Sequence, residues 1–194
     1  MTGVQTCALP IYITGRVLES LCRRGMTARD EAVARGVSYL LDAQESDGSW
    51  YGRWGVNYVY GSFLAMRGLA ASGEPEAGDA LLRAAGWLRA VQNPDGGWGE
   101  SCAGYDVDHF VAAPSCPSQT AWGMLGLLAA GDTESVHLRR AMEFLLDRQR
   151  EDGSWDEQAT TGTGFPNVFY LTYCMYRDYF PLLALTTAKR ALEA

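Results

Sequence analysis

An all-α chain folded as a layered α/α toroid is what this sequence predicts, and three observations carry the prediction. A seven-residue string recurs three times: QESDGSW at 44–50, QNPDGGW at 92–98 and QREDGSW at 149–155. Gln, Asp, Gly and Trp thus stand at identical offsets, 48 and then 57 residues apart, which is an internal repeat. Each copy closes a helical run. Runs that end in the string alternate with more apolar runs, as expected of outer helices turned to solvent and inner helices facing a centre.

Taken in order, residues 1–11, MTGVQTCALPI, do not belong with the rest of the chain. They have neither the basic start nor the apolar stretch of a signal peptide. They resemble a translated sequencing adapter and are set aside as a foreign tail, the alternative being a natural disordered one; on the adapter reading Tyr12 comes from a hybrid codon. In residues 13–24, Val17, Leu18 and Leu21 share a face and Gly25 supplies a stop, so a short helix is expected. Residues 29–44 come next, with Val33, Val37, Leu40 and Leu41 at i, i+4, i+7 and i+8. A third helix, apolar and aromatic, is expected over 57–71, and a fourth over 77–92 after the Gly-Glu-Pro turn at 73–75. The loop 93–117 is too long to be idle packing. Residues 118–130, 134–149 and 167–189 complete the set, the last helix bent at Pro181.

The repeated string has a structural logic. Tyr39, Trp87 and Phe144 each precede the Gln by five residues, in the last turns of a helix that Asp-Gly then breaks. A Trp directly after that corner can fold back over the helix end, and the Gln amide can satisfy backbone groups orphaned there. Gln44, Gln92, Gln149, Trp50, Trp98 and Trp155 are therefore expected to hold the fold and do no chemistry.

Composition excludes several classes. With 194 residues, 47% of them hydrophobic, the chain is globular and long enough for one sizeable core. A net charge of −7 and a pI near 4.8 would repel a phosphate backbone, so nucleic acid is not an expected partner. No apolar run reaches the roughly 18 to 20 residues that a bilayer crossing needs. The five cysteines include no Cys-x-x-Cys pair and read as reduced thiols, and the isolated His109 and His137 offer no metal set.

Three copies of aromatic-x4-Gln-x2-Asp-Gly-x-Trp resemble the QW repeats of the triterpene cyclases. The tracts WYGRWGVNYVYG at 50–61, GWGESCAGY at 97–105 and TGTGFPNVFYLTYCMYRDYFPLLAL at 161–185 extend the resemblance to the C-terminal part of the squalene-hopene cyclases, from about residue 13 to the end. That resemblance implies that residues 12–194 are the C-terminal part of an α/α-barrel domain. The family's barrel has about twelve helices against seven or so here, so an open edge of apolar helix faces is expected. It also implies a linear polyprene such as squalene as substrate, no metal or organic cofactor, and a peripheral position on the cytoplasmic side of the membrane. A homodimeric parent is compatible with it.

The implied chemistry is protonation of a terminal alkene followed by a cascade of carbocations. Aromatic faces suit such a cascade, because their quadrupoles attract cations and their bulk excludes water. On the family motif, Phe165, Phe169, Tyr173 and Tyr176 are expected on the cavity wall, the last three at i, i+4 and i+7 along one face of the last helix. Trp54 is expected against the forming rings and Tyr60 near the proton donor, while Arg16 takes the basic position beside the acid. The family's acid is an Asp in a D-x-D-D string, and no such string occurs here. The stretch Asp106-Val107-Asp108-His109 is read as a solvated loop. The expected function is therefore that of a cavity wall, inactive alone. Two alternatives stand beside it: a related bacterial polyprenoid cyclase, and a non-catalytic α/α toroid used as a binding module. Arg53 and Asn57 fit the bacterial form of the motif better than the oxidosqualene one, and the zinc ligand set of the prenyltransferase β subunits is not arranged here.

Overall fold

A computed structural model describes residues 10–193. The helices are α1 (Pro10–Arg23), α2 (Glu31–Asp42), α3 (Tyr58–Ser72), α4 (Ala77–Ala90), the single turn α5 (Gly104–Val107), α6 (Pro117–Ala129), α7 (Val136–Asp147) and α8 (Tyr176–Leu192). Strands β1 (Gly162–Phe165) and β2 (Phe169–Leu171) form an antiparallel hairpin before α8. Residues 1–9, most of the segment set aside as foreign, lie outside the described residues. The first helix starts at Pro10, earlier than expected, and buries Ile11.

Inner helices α1, α3, α6 and α8 pack in sequence as an arc, with α2, α4 and α7 laid outside them. Burial matches the sequence pattern. In α3 the run Tyr58 to Met66 is buried on every side, and so is Pro117 to Leu127 in α6, as all-round apolar helices require. The outer helices bury one stripe each: Val33, Val37 and Leu40 in α2, and Leu138, Ala141, Phe144 and Leu145 in α7. Close approach of α1 to α3 depends on glycine, because a Cβ on Gly15 or Gly68 would collide with the opposing backbone. At the two ends of the arc, Ile13 and Val17 on α1 and Tyr179 and Leu182 on α8 are exposed, the open edge that the helix count implies.

The three repeats form one construction. Each Trp indole N–H donates to the carbonyl ten residues upstream, Trp50 to Leu40 at 2.7 Å, Trp98 to Leu88 at 2.9 Å and Trp155 to Leu145 at 2.8 Å. The ring thereby lies over the end of its own helix, fully buried. Each Trp backbone N–H donates onward to the start of the next inner helix: Ser62 in α3, Thr120 in α6 and Asp178 in α8. Gly48, Gly96 and Gly153 turn the corner with φ of 97°, 90° and 85°, a conformation glycine adopts without penalty. The Gln amides add a second link. Gln44 donates to Gly48 and to Ala80 in the first turn of α4, while Gln92 donates to Gly96 and to His137 in the first turn of α7. Gln149 donates to Gly153 within its own turn.

A further device was not expected. Two residues after Trp98 stands Glu100, and two after Trp155 stands Glu157, both buried. Glu100 accepts the backbone N–H groups of Asn57, Tyr58 and Val59 at 2.9 to 3.0 Å, and Glu157 accepts the N–H and hydroxyl of Ser118. The second and third repeats thus each cap the inner helix that follows the preceding repeat, satisfying orphan donors where the helix dipole favours negative charge. The first repeat has Gly52 at that position.

Candidate active site

Tyr60 sits in the first turn of α3, held there by the Glu100 cap, and is 4% exposed. Its ring lies against Gly55, where any Cβ would strike it, so the glycine of the GRWG turn makes room for the phenol. The Arg16 guanidinium, on the exposed side of α1, donates to the Tyr60 hydroxyl at 3.1 Å. Arg16 is exposed near the open edge, while Tyr60 is buried behind it.

Aromatic rings spread from Tyr60 in a continuous band. Trp122 of α6 meets it edge-on at 4.8 Å and stacks with Phe63 at 6.1 Å. Phe180 and Tyr176 of α8 meet Trp122 edge-on at 5.4 and 5.9 Å, and Tyr173 stacks on Tyr176 at 4.7 Å. Burial, then the neighbouring Tyr60 and Tyr173 phenols, push the Tyr176 hydroxyl well above the ordinary phenol range. It therefore stays neutral, a dipole rather than a charge.

Phe169, Tyr173 and Tyr176, placed along one face of the last helix, do not lie on one, and Phe165 does not begin that helix. Phe165 ends β1 and Phe169 opens β2, paired across the turn Pro166-Asn167-Val168, in which Asn167 takes φ 62°. Tyr173 lies in the connection to α8, and only Tyr176 is helical. Helical spacing misled because a tight hairpin also brings residues four apart together, ring to ring at 5.7 Å for Phe165 and Phe169. The glycines of TGTG are what the rings rest on: a Cβ at Gly164 would strike Phe169, and one at Gly162 would strike Tyr173. Phe165 and Phe169 are 56% and 44% exposed, facing outward with Val168 and Met175.

Trp54 is half-buried in the turn before α3, with the Arg53 guanidinium 5.9 Å from its ring centre. The indole N–H groups of Trp54 and Trp122 are buried with no acceptor among the described residues. The structure therefore joins Arg16, Tyr60, Tyr173 and Tyr176 in one network, adds Trp122, Phe63 and Phe180 to it, and sets Phe165 and Phe169 on the hairpin as a second aromatic surface. Trp122 was missed because a single Trp in an apolar helix has no local signature of the rings it will meet. Its signal lay in the alternation of layers, which already marked α6 as inner.

Asp106, Asp108 and His109 are exposed on and after α5, as a solvated loop should be. Among the described residues no three His, Cys, Asp or Glu side chains are grouped to hold a metal, and no helix is long and apolar enough to cross a membrane.

Comparison with known proteins places this geometry. Residues 8–190 match the family model of the squalene-hopene cyclase C-terminal domain. A protein of Sinorhizobium fredii named as a probable squalene–hopene cyclase is 46% identical over 176 residues, 89% of this chain and 27% of the relative. The squalene–hopene cyclase of Alicyclobacillus acidocaldarius is 45% identical over 182 residues, 93% of this chain and 29% of the relative. The chain thus spans well under a third of the length of these curated relatives. Among solved structures, the ent-copalyl diphosphate synthase of Streptomyces platensis superposes with a TM-score of 0.67 at 22% identity, over 92% of this chain and 33% of that one. At that identity the likeness concerns the fold, and it is that of an α/α toroid.

Proposed function

This chain belongs to the squalene-hopene cyclase family, as its C-terminal domain, and from that premise we propose that it supplies one wall of a cavity in which a linear polyprene, squalene, is cyclised. The continuous aromatic band from Tyr60 through Trp122 to Tyr173 is the observation that carries this reading. When a proton adds to a terminal alkene, the positive charge left on carbon passes to each new ring as the next double bond attacks. A ring face near that charge stabilises it by on the order of 2 kcal/mol when desolvated, and about 1.36 kcal/mol is tenfold in rate. Tyr60 and Trp122 are already shielded from water. Phe165 and Phe169 gain their full effect when the facing part of the enzyme covers them.

The proton comes from outside this chain. Arg16 and Tyr60 hold the position next to the donor: a fixed cation beside a carboxyl lowers its pKa and sharpens it as an acid, and the phenol orients the cation. The chain alone therefore does not cyclise squalene. In the same reading the whole enzyme sits peripherally on the cytoplasmic side of the membrane and draws its substrate from the lipid.

The test is a pair of assays for cyclised product from squalene. Purified in detergent, the 194-residue chain should give none, and joined to the preceding part of a squalene-hopene cyclase it should give hopene-type products. Turnover by the chain alone would contradict the proposal and make Asp106 and Asp108 the first groups to examine. A joined enzyme that folds but never cyclises would refute the functional reading itself.

A further inference from the structure

The long loop between the second repeat and α6 carries one buried phenol that touches both candidate walls. Tyr105, on α5, is 6% exposed. Its hydroxyl donates to the carbonyl oxygen of Arg53 at 2.5 Å and lies 2.6 Å from the hydroxyl of Thr163. A phenol has one proton, and Arg53 takes it, so Thr163 is the donor to the phenol oxygen. The first bond fixes the residue directly before Trp54, in a turn where Arg53 is held at φ 48°. The second fixes β1, two residues before Phe165. The Tyr105 ring stacks on Tyr170 of β2 at 5.8 Å, which adds the other strand of the hairpin.

The loop itself is anchored. Ser101 N–H donates to Val111 at 2.8 Å, Glu100 bridges to Ala112, and the Glu100 side chain holds α3. Nearby, the Val56 N–H donates directly to Thr161 at 3.0 Å, so the turn and the segment entering the hairpin are also joined without Tyr105.

We propose that Tyr105 is a positioning residue, whose hydroxyl sets the spacing between the Trp54 turn and the Phe165–Phe169 hairpin and so fixes the shape of the cavity wall. The inference rests on the cyclase reading for its consequence but not for its geometry. Truncation to Phe keeps the buried ring and cuts both arms at once, while Thr163→Val cuts only the arm to the hairpin.

The test uses the whole 194-residue chain labelled with 5-fluorotryptophan, the Trp54 fluorine resonance being assigned through Trp54→Phe. With Tyr105→Phe, the Trp54 resonance should shift and amide exchange in β1 and β2 should quicken by about fivefold to tenfold, the effect of losing a buried hydrogen bond. The Trp50, Trp98 and Trp155 resonances should stay in place. Thr163→Val should quicken the hairpin exchange and shift Trp54 less than Tyr105→Phe does, because the bond to Arg53 remains. Unchanged Trp54 and hairpin signals in Tyr105→Phe overturn the inference, and so does a shift of all tryptophans together, which is loss of the fold. A Trp54 shift in Thr163→Val as large as that in Tyr105→Phe also overturns it, because the bond to Arg53 would then hold nothing. In the joined enzyme, Tyr105→Phe should raise the share of partly cyclised products with KM unchanged; an unchanged product pattern overturns the positioning role. If the unmutated joined enzyme makes no cyclised product, the functional reading fails and the fluorine and exchange data alone decide the bridge.

Discussion

Replacing Gln92 by Ala removes three hydrogen bonds at once, whereas replacing Gln149 removes one. The Gln92 amide donates to Gly96 and His137 at 2.8 and 2.9 Å, and its oxygen faces the His137 ring nitrogen at 2.7 Å. Gln149 donates to Gly153 at 3.0 Å in an exposed turn. At about 0.5 to 1.5 kcal/mol for each bond, and towards the lower half because the sites are partly wet, Gln92→Ala should cost about 2 to 3 kcal/mol and Gln149→Ala less than about 1. For a chain of this size each kcal/mol moves the melting midpoint by about 2 to 4 °C, so the two variants should differ by at least about 2 °C. Thermal and urea unfolding followed by circular dichroism and by tryptophan fluorescence would read this, and coincident transitions would license the comparison. Equal losses in the two variants would refute the reasoning, because the link between consecutive outer helices would then contribute nothing beyond the turn.

The geometry predicts three more outcomes. Trp98→Ala should cost about 3 to 5 kcal/mol, because it empties a fully buried site and strips the Leu88 carbonyl of its partner, and calorimetry would show it. Burial lifts the Glu100 carboxyl to about 7, against three N–H groups that favour its charge. The folded chain then keeps a proton that the unfolded chain releases near pH 4, so stability should fall as pH rises between about 4 and 7, by on the order of 3 kcal/mol, and level off above; Glu100→Gln should flatten that slope in unfolding titrations. In the joined enzyme Tyr60→Phe should lower turnover while leaving the melting midpoint within about 4 °C, since the ring stays and only the hydroxyl's bonds to Arg16 and Tyr176 are lost.

The helices and their layering were legible because burial imposes a period on each one. Val33, Val37 and Leu40 repeat as a stripe that only a one-sided helix needs, and the all-round apolar α3 and α6 could only be inner. Repetition of Gln, Asp, Gly and Trp made the corners legible too. The hairpin was not, because Phe165, Phe169 and Tyr173 recur every four residues, a spacing shared by one helical turn and by residues paired across a three-residue turn. The Pro166-Asn167 pair was the contrary signal: Pro disfavours a helical residue before it, and Asn tolerates the positive φ it adopts. Glu100, Glu157 and Tyr105 escaped notice for another reason. Their partners stand 39 to 58 residues away, and nothing local in a Trp-Gly-Glu or Trp-Asp-Glu string states which helix it will cap.

The central claim, that these rings form the wall of a cyclisation cavity, is tested most directly by product analysis of single Ala variants of Trp54, Tyr60, Phe165 and Phe169 in the joined enzyme, with Trp50→Ala and Trp155→Ala as controls. The account predicts lower turnover or prematurely quenched, partly cyclised products from each of the four, most cleanly from the outward-facing Phe165 and Phe169, whose truncation should leave the melting midpoint nearly unchanged. The two controls should lose stability and keep the product pattern. Activity that fell in all four variants only as far as folded protein fell, with no new product, would contradict it.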